Sequence, residues 1–173
     1  MLSLAGPYLA ATALLALGGL LKVARPSETA NALAALHLPA HAGLVRTLGL
    51  AEVAIGTMAF ATSFALAAVL TALAYLGFAG FVLLARRSGT PVQSCGCFGK
   101  AETPPSVIHI VVNLTAALIA ALVAWKPIPS LGRLLADQPG AGIPLLMVTA
   151  LTVYLLYIML TVLPQTLNTL RLS

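Results

Sequence analysis

The sequence predicts an all-α, polytopic membrane bundle of about five transmembrane helices, with a short interfacial helix after the first. Three observations carry that prediction. Of the 173 residues, 60% are apolar and only 8% charged, whereas a soluble domain is roughly 25% charged. Mean hydropathy is +1.03. Runs with little or no charge also recur along the chain, each long enough for one or two helices of the ~20 residues that cross a hydrocarbon core of ~30 Å. A soluble globular enzyme and a disordered linker are excluded, and the lipid bilayer is the first partner.

The elements follow in order. Residues 1–21 carry no charged side chain before Lys22 and Arg25, giving a first span at about 2–22. No positively charged leader precedes this run, so it reads as a retained span and not as a signal peptide. Residues 26–43 open on Pro26 and a capping-type Ser27 and run through Ala/Leu repeats to Leu38-Pro39. They are too short to span and suit an interfacial helix, with His37 and His41 as interfacial residues. Between Arg46 and Arg86 the only charge is Glu52. One helix of that length would reach ~60 Å, twice the hydrocarbon thickness, so two spans are expected at 45–62 and 65–85, turning at Thr62-Ser63. A fourth span is expected at 106–125, between Pro104-Pro105 and Lys126-Pro127. The fifth is expected at 143–163, after the Pro/Gly cluster at 139–144. Prolines at these ends suit helices, because Pro is tolerated in the first turn and stops continuation at the end. No internal repeat or second domain is visible, and 1–173 reads as one membrane domain.

Charge sets the expected orientation. The net charge of +5 is no nucleic-acid footprint, since no basic cluster exceeds the pair Arg86-Arg87 and a basic groove needs a stripe. Alternation of five spans puts Lys22, Arg25, Arg46, Arg86, Arg87, Lys100 and Arg171 on one side, against Lys126 and Arg133 on the other. By the positive-inside rule the N-terminus lies outside and the 86–105 loop in the cytoplasm, in a bacterial-type cytoplasmic (inner) membrane.

Three groups of residues can carry chemistry. Ser94-Cys95-Gly96-Cys97-Phe98-Gly99 holds both cysteines of the chain. Thiolates exchange disulfides and bind soft metals, so a C-x-C pair can do either. Glycine between them lets the backbone turn the sulfurs together, and a disulfide in so small a ring is strained and labile. Glu52, six residues beyond Arg46, lies ~9 Å into its span. An ionisable group there is costly and faces the protein interior or a wet cavity, with a structural or a functional role equally open. His109 and Asn113, four apart, share one face of the fourth span. Their helix starts on the same side as the cysteine loop, as does that of Glu52, so Glu52, His109, Asn113, Cys95 and Cys97 are expected to converge on one polar mouth. Tyr75, Tyr154 and Tyr157 lie within spans, where they border such a cavity or pack as aromatics.

The pattern Lys22…Pro26, Leu38-Pro39, Arg46-x-x-Gly49-x-x-Glu52-x-x-x-Gly56, then Cys95-x-Cys97-Phe98-Gly99 and His109…Asn113 resembles the methylamine-utilisation MauE family. That family is similar to the DoxX-like redox-associated membrane proteins. The resemblance covers most of residues 15–125, and its most specific element is CxCFG. Val112 stands where the family's typical Arg precedes the Asn. The resemblance implies a DoxX-like four-helix core plus one helix, and an accessory role in thiol–disulfide traffic. In the methylamine pathway the family works with a thioredoxin-like partner to mature the disulfide-rich small subunit of methylamine dehydrogenase. On that reading Cys95 and Cys97 are the pair of a thiol–disulfide oxidoreductase, Glu52 and His109 handle protons or tune the thiols, and Asn113 orients. The electron partner is then a thioredoxin-fold protein or a membrane quinone. The alternatives are a soft-metal protein of copper type using Cys95, Cys97 and His109, and a structural membrane subunit without redox chemistry.

Overall fold

A computed structural model of the chain describes residues 4–62, 64–88, 105–137 and 139–163. Cys95, Cys97 and the hexapeptide around them lie outside the described residues, as does Ser63 of the expected turn. Among the described residues the chain is helical, without strands. In order the helices are α1 (Ala5–Ala24), α2 (Pro26–Ala35), α3 (Ala42–Ala61), α4 (Ala65–Arg87), α5 (Val107–Trp125), α6 (Leu131–Asp137) and α7 (Pro139–Thr161). Five are long and apolar enough to cross a membrane: α1, α3, α4, α5 and the Gly142–Thr161 part of α7.

The outer surface is that of a protein solvated by lipid. Leu50, Leu73, Leu118, Leu151 and Leu155 are all more than half exposed on span helices, a pattern that would be an aggregation hazard in water. The interior, by contrast, is built of small side chains: Ala5, Ala10, Ala59, Ala67, Ala68, Ala117 and Ala120 are buried. In lipid no hydrophobic force separates helix from solvent, so small residues that allow close backbone approach drive helix packing. The main contacts join α1 to α3 and α4 to α5, with α7 laid against α1.

The α1–α3 contact is the closest. A Cβ placed on Gly19 would lie 2.5 Å from the Gly49 carbonyl oxygen, and one on Gly49 would lie 2.7 Å from the Gly19 carbonyl oxygen. Two turns along α3, a Cβ on Gly56 would meet the Thr12 oxygen and the Ala16 nitrogen, both at 2.8 Å. No side chain fits at these positions, and the two backbones touch there.

The connections differ from the sequence expectation in three details. Ser27 is not a cap: Arg25 takes the N-cap position of α2 and Pro26 opens the helix, because a proline's missing N–H costs nothing in the first turn. The end of α2 is a Schellman motif, with His37 N–H donating to Ala34 O at 2.9 Å and Leu38 N–H to Leu33 O at 3.0 Å. His37 takes the left-handed conformation this motif needs, at φ 56, and Pro39 follows. The third difference is at the C-terminal end. The Pro/Gly cluster does not break the helix: α7 begins at Pro139, ahead of its spanning part Gly142–Thr161, and carries Pro144 inside, behind a short α6. Proline in the interior removes one backbone hydrogen bond, but Gly142 tucks beneath Leu135 of α6 and helps to hold the early turns.

Between α3 and α4 the chain leaves the helix at Thr62, as expected, and Phe64 holds the N-cap position of α4. Thr62 is extended and its hydroxyl accepts from Phe64 N–H at 3.4 Å. At the other end of α4, Arg86 Nη1 donates to Pro105 O at 3.4 Å. That bond draws together the two residues from which the cysteine segment departs and returns.

Candidate functional site: a buried ion pair beside His109 and Asn113

Glu52 occupies the middle of α3, ten residues from Ala42 and so ~15 Å along the helix. It is deeper than its distance from Arg46 suggested, because α3 starts four residues before that arginine. Arg46 itself is exposed. The partner of Glu52 is Lys22, whose Nζ donates to Oε2 at 2.7 Å. Both residues are 3% exposed. The sequence expectation counted Lys22 among the loop cations; the structure removes it from that set. It lies within α1, one turn from the Gly19–Gly49 crossing that brings the two helices into contact. Six cations then remain on that side against two on the other, so the charge bias persists.

Lys22 is held on a second side by an aromatic face. Its Nζ lies 4.6 Å from the centroid of the Phe78 ring, within the range of a cation–π attraction. Phe78 in turn meets Tyr75 edge to face, with centroids 5.8 Å apart and planes at 85°. The Tyr75 hydroxyl donates to Ala11 O at 2.6 Å, which ties α4 to α1.

His109 is the third residue of α5 and is 1% exposed. Its Nδ1 is 2.8 Å from the Ser106 hydroxyl. Ser106 holds the N-cap position in extended conformation, yet its side chain makes no cap bond to the helix backbone. It is committed instead to the imidazole, fixing the ring plane. Asn113, one turn further along α5, is also buried.

Lys22, Glu52, His109 and Asn113 line one small cavity of about 20 Å³, closed by Tyr75 and Phe78. Alternation alone placed Glu52, His109 and Asn113 at the same membrane side, and the structure has them around this space. Two buried polar atoms here have no hydrogen-bond partner among the described residues: Glu52 Oε1 and His109 Nε2. A cavity needs ~10–15 Å³ and two to four polar neighbours to hold a water. This one has both, so a water-mediated link between carboxylate and imidazole is sterically available. Of the three tyrosines considered from sequence, only Tyr75 borders the cavity. Tyr154 and Tyr157 line an apolar pocket between α1 and α7.

Lys22, Phe78 and Ser106 were missed as site residues. For Lys22 there was a signal: two opposite charges lying inside different spans are expected to pair. Neither Phe78 nor Ser106 had one, since a phenylalanine in a span and a serine after Pro105 are ordinary. Among the described residues no three His, Asp or Glu side chains come together as a metal site. A soft-metal set on this chain would have to draw on Cys95 and Cys97.

No curated protein and no solved structure gives a significant match to the chain. The family model of the methylamine utilisation protein MauE matches residues 1–126, which takes in α1 to α5 and all four polar residues of the cavity, and the chain belongs to that family.

Proposed function

We propose that this membrane protein serves thiol–disulfide traffic, with Cys95 and Cys97 as its exchanging pair. In each cycle the two thiols lose two electrons and two protons and close a disulfide, while a thioredoxin-fold partner's disulfide gains them and opens to two thiols; the reverse cycle uses the same bonds. Such exchange needs thiolates, and therefore a group that takes and returns protons. The observation that supports the reading is the convergence of Glu52, His109 and Asn113, with Lys22, on one cavity. His109 stands in the first turn of α5, at the end from which the cysteine segment returns. His109 and Glu52 take the proton-handling role, Asn113 orients, and Lys22 holds the carboxylate. Membership of the family connects the chain to methylamine utilisation, where the proposed beneficiary is the disulfide-rich dehydrogenase subunit; that subunit is exported, so a cytoplasmic pair reaches it only through a further electron carrier. The charge bias supports a cytoplasmic cysteine loop and an external N-terminus, in the inner membrane.

Mass-tag alkylation before and after dithiothreitol tests the reading. Oxidised native protein should resist tagging at both cysteines and accept two tags after reduction. Two freely tagged thiols under oxidant would defeat it, and protection only in the presence of copper would favour the soft-metal reading.

A further inference from the structure

The small cavity between α1, α3, α4 and α5 has a volume of about 20 Å³, and the residues around it leave two buried polar atoms unpartnered, Glu52 Oε1 and His109 Nε2. An unpaired buried polar atom bears the whole cost of its lost hydration, and cavities that stay empty are apolar ones. This volume admits one water-sized molecule. The walls carry one cation and one anion, Lys22 and Glu52, so an ion of either sign would meet its own charge at contact distance. A neutral molecule with donors and acceptors avoids that. Lys22 gives one of its three N–H donors to Oε2, and the Asn113 amide on the same wall offers both a donor and an acceptor.

The direction of the hydrogen bonds is set at the other ring nitrogen. Ser106 Oγ and His109 Nδ1 lie 2.8 Å apart, and the His109 backbone N–H donates to Ser106 O at 3.2 Å. The first turn of α5 therefore holds hydroxyl and ring together. The Ser106 side chain makes no cap bond to the helix backbone, and Nδ1 is the side-chain acceptor that its proton meets among the described residues. A hydroxyl that donates to Nδ1 leaves the neutral ring's one proton on Nε2. An N–H then stands at the cavity, where the Glu52 carboxylate can only accept. One water closes the line, accepting from Nε2 and donating to Oε1. Ser106 is half-buried, whereas His109 and Glu52 are buried, so the line runs from near the surface into the core.

We propose that the cavity holds one resident water and that Ser106 is a positioning residue, setting His109 in the Nε2–H form so that Ser106, His109, the water and Glu52 make a directed proton relay. A proton arriving at the Ser106 oxygen sends the hydroxyl proton to Nδ1, the Nε2 proton to the water and a water proton to Oε1. One proton enters and the carboxylate keeps one; the water is restored, the ring ends protonated on Nδ1, and the reverse sequence returns the proton. The relay deepens the proton-handling reading of His109 and Glu52 and rests on it for its purpose, whereas the water and the form of the ring are independent of the cysteines.

Nitrogen NMR reads the ring directly. The full chain carries isotope-labelled histidine in phosphatidylcholine bilayers at neutral pH, and His109 is told from His37 and His41 by its loss in His109→Gln. The wild type should show one form of His109, protonated at Nε2 and bare at Nδ1, with a cross-peak from that N–H to water. Ser106→Ala should lose the single form and give a mixture of both, and Ser106→Thr, which restores a hydroxyl, should recover it. A wild-type ring protonated at Nδ1, a missing water cross-peak or an unchanged ring in Ser106→Ala would overturn the proposal. When a thioredoxin-fold disulfide re-oxidises the reduced protein, Ser106→Ala should close the Cys95–Cys97 disulfide at least about tenfold more slowly and Ser106→Thr at the wild-type rate; a wild-type rate in Ser106→Ala would end the relay. The Cys95→Ser/Cys97→Ser protein should give the wild-type ring spectrum. Cysteines freely tagged under oxidant would therefore defeat the thiol reading without changing these spectra, and the two failures are distinguishable.

Discussion

Replacing Lys22 by methionine keeps a long unbranched side chain and deletes the charge opposite Glu52. At the 2.7 Å separation of Nζ and Oε2, the attraction is ~6 kcal/mol at an effective dielectric of ~20. Removing the two ions from water costs several kcal/mol each, so the intact pair contributes little net stability. Breaking it is another matter. Lys22→Met leaves the Glu52 carboxylate buried with no ammonium beside it, and the expected loss is ~3–5 kcal/mol. Glu52→Leu added to Lys22→Met removes the second ion and returns the protein to within ~1 kcal/mol of wild type. The assay is reversible unfolding in mixed micelles, followed by helical circular dichroism, for the wild type, both single variants and the double. The reasoning predicts a coupling of ~2 kcal/mol or more between the two sites. Additive losses in the double variant would show that the 2.7 Å contact is not an energetic unit, and would refute it.

Three further outcomes are expected. Gly49→Ala places a methyl group 2.7 Å from the Gly19 oxygen and should cost ~1–3 kcal/mol by overpacking in the same unfolding assay, whereas Gly43→Ala, with nothing within 4 Å, should stay within ~0.5 kcal/mol. Glu52→Gln keeps the shape and a hydrogen-bond acceptor for Lys22 but not the proton; it should insert normally and fail to complement a deletion strain, and normal complementation would reduce Glu52 to a packing residue. A membrane-impermeant maleimide on intact cells, with thiols kept reduced, should label Cys95 and Cys97 only after permeabilisation, while a cysteine placed at Ser130 labels without it; the reverse pattern would invert the orientation.

The spans were legible because apolar runs almost free of charge recur at the length of one or two bilayer crossings, and Thr62 marked the turn that divides 46–86 into α3 and α4. Composition cannot show what prolines do within a run. Pro139, Gly140, Gly142 and Pro144 read as a break, yet α7 passes through them, since Pro139 costs nothing in a first turn and α6 covers Gly142. Glu52, His109 and Asn113 stood out as polar groups in apolar helices, and alternation put them at one side. Lys22 was misread as a flanking cation for a tertiary reason. Its burial depends on the crossing of Gly19 and Gly49, which lie 30 residues apart in the chain and have no local signature beyond their small size. Ser106 shows the same limit: it holds the N-cap position of α5, and its use as the imidazole's partner appears only in three dimensions.

The central claim is that the polar cavity serves the thiol pair, and the rate of thiol re-oxidation tests it most directly. The purified protein is reduced, freed of reductant, and given the disulfide form of a thioredoxin-fold protein; the loss of alkylatable Cys95 and Cys97 is then timed by mass tagging. Positioned proton transfer contributes ~10²–10⁴ in rate, so Glu52→Gln and His109→Gln proteins that remain folded under the assay conditions should close the disulfide at least ~10-fold more slowly. Rates equal to the wild type in both variants would contradict the account and separate the cavity from the cysteines.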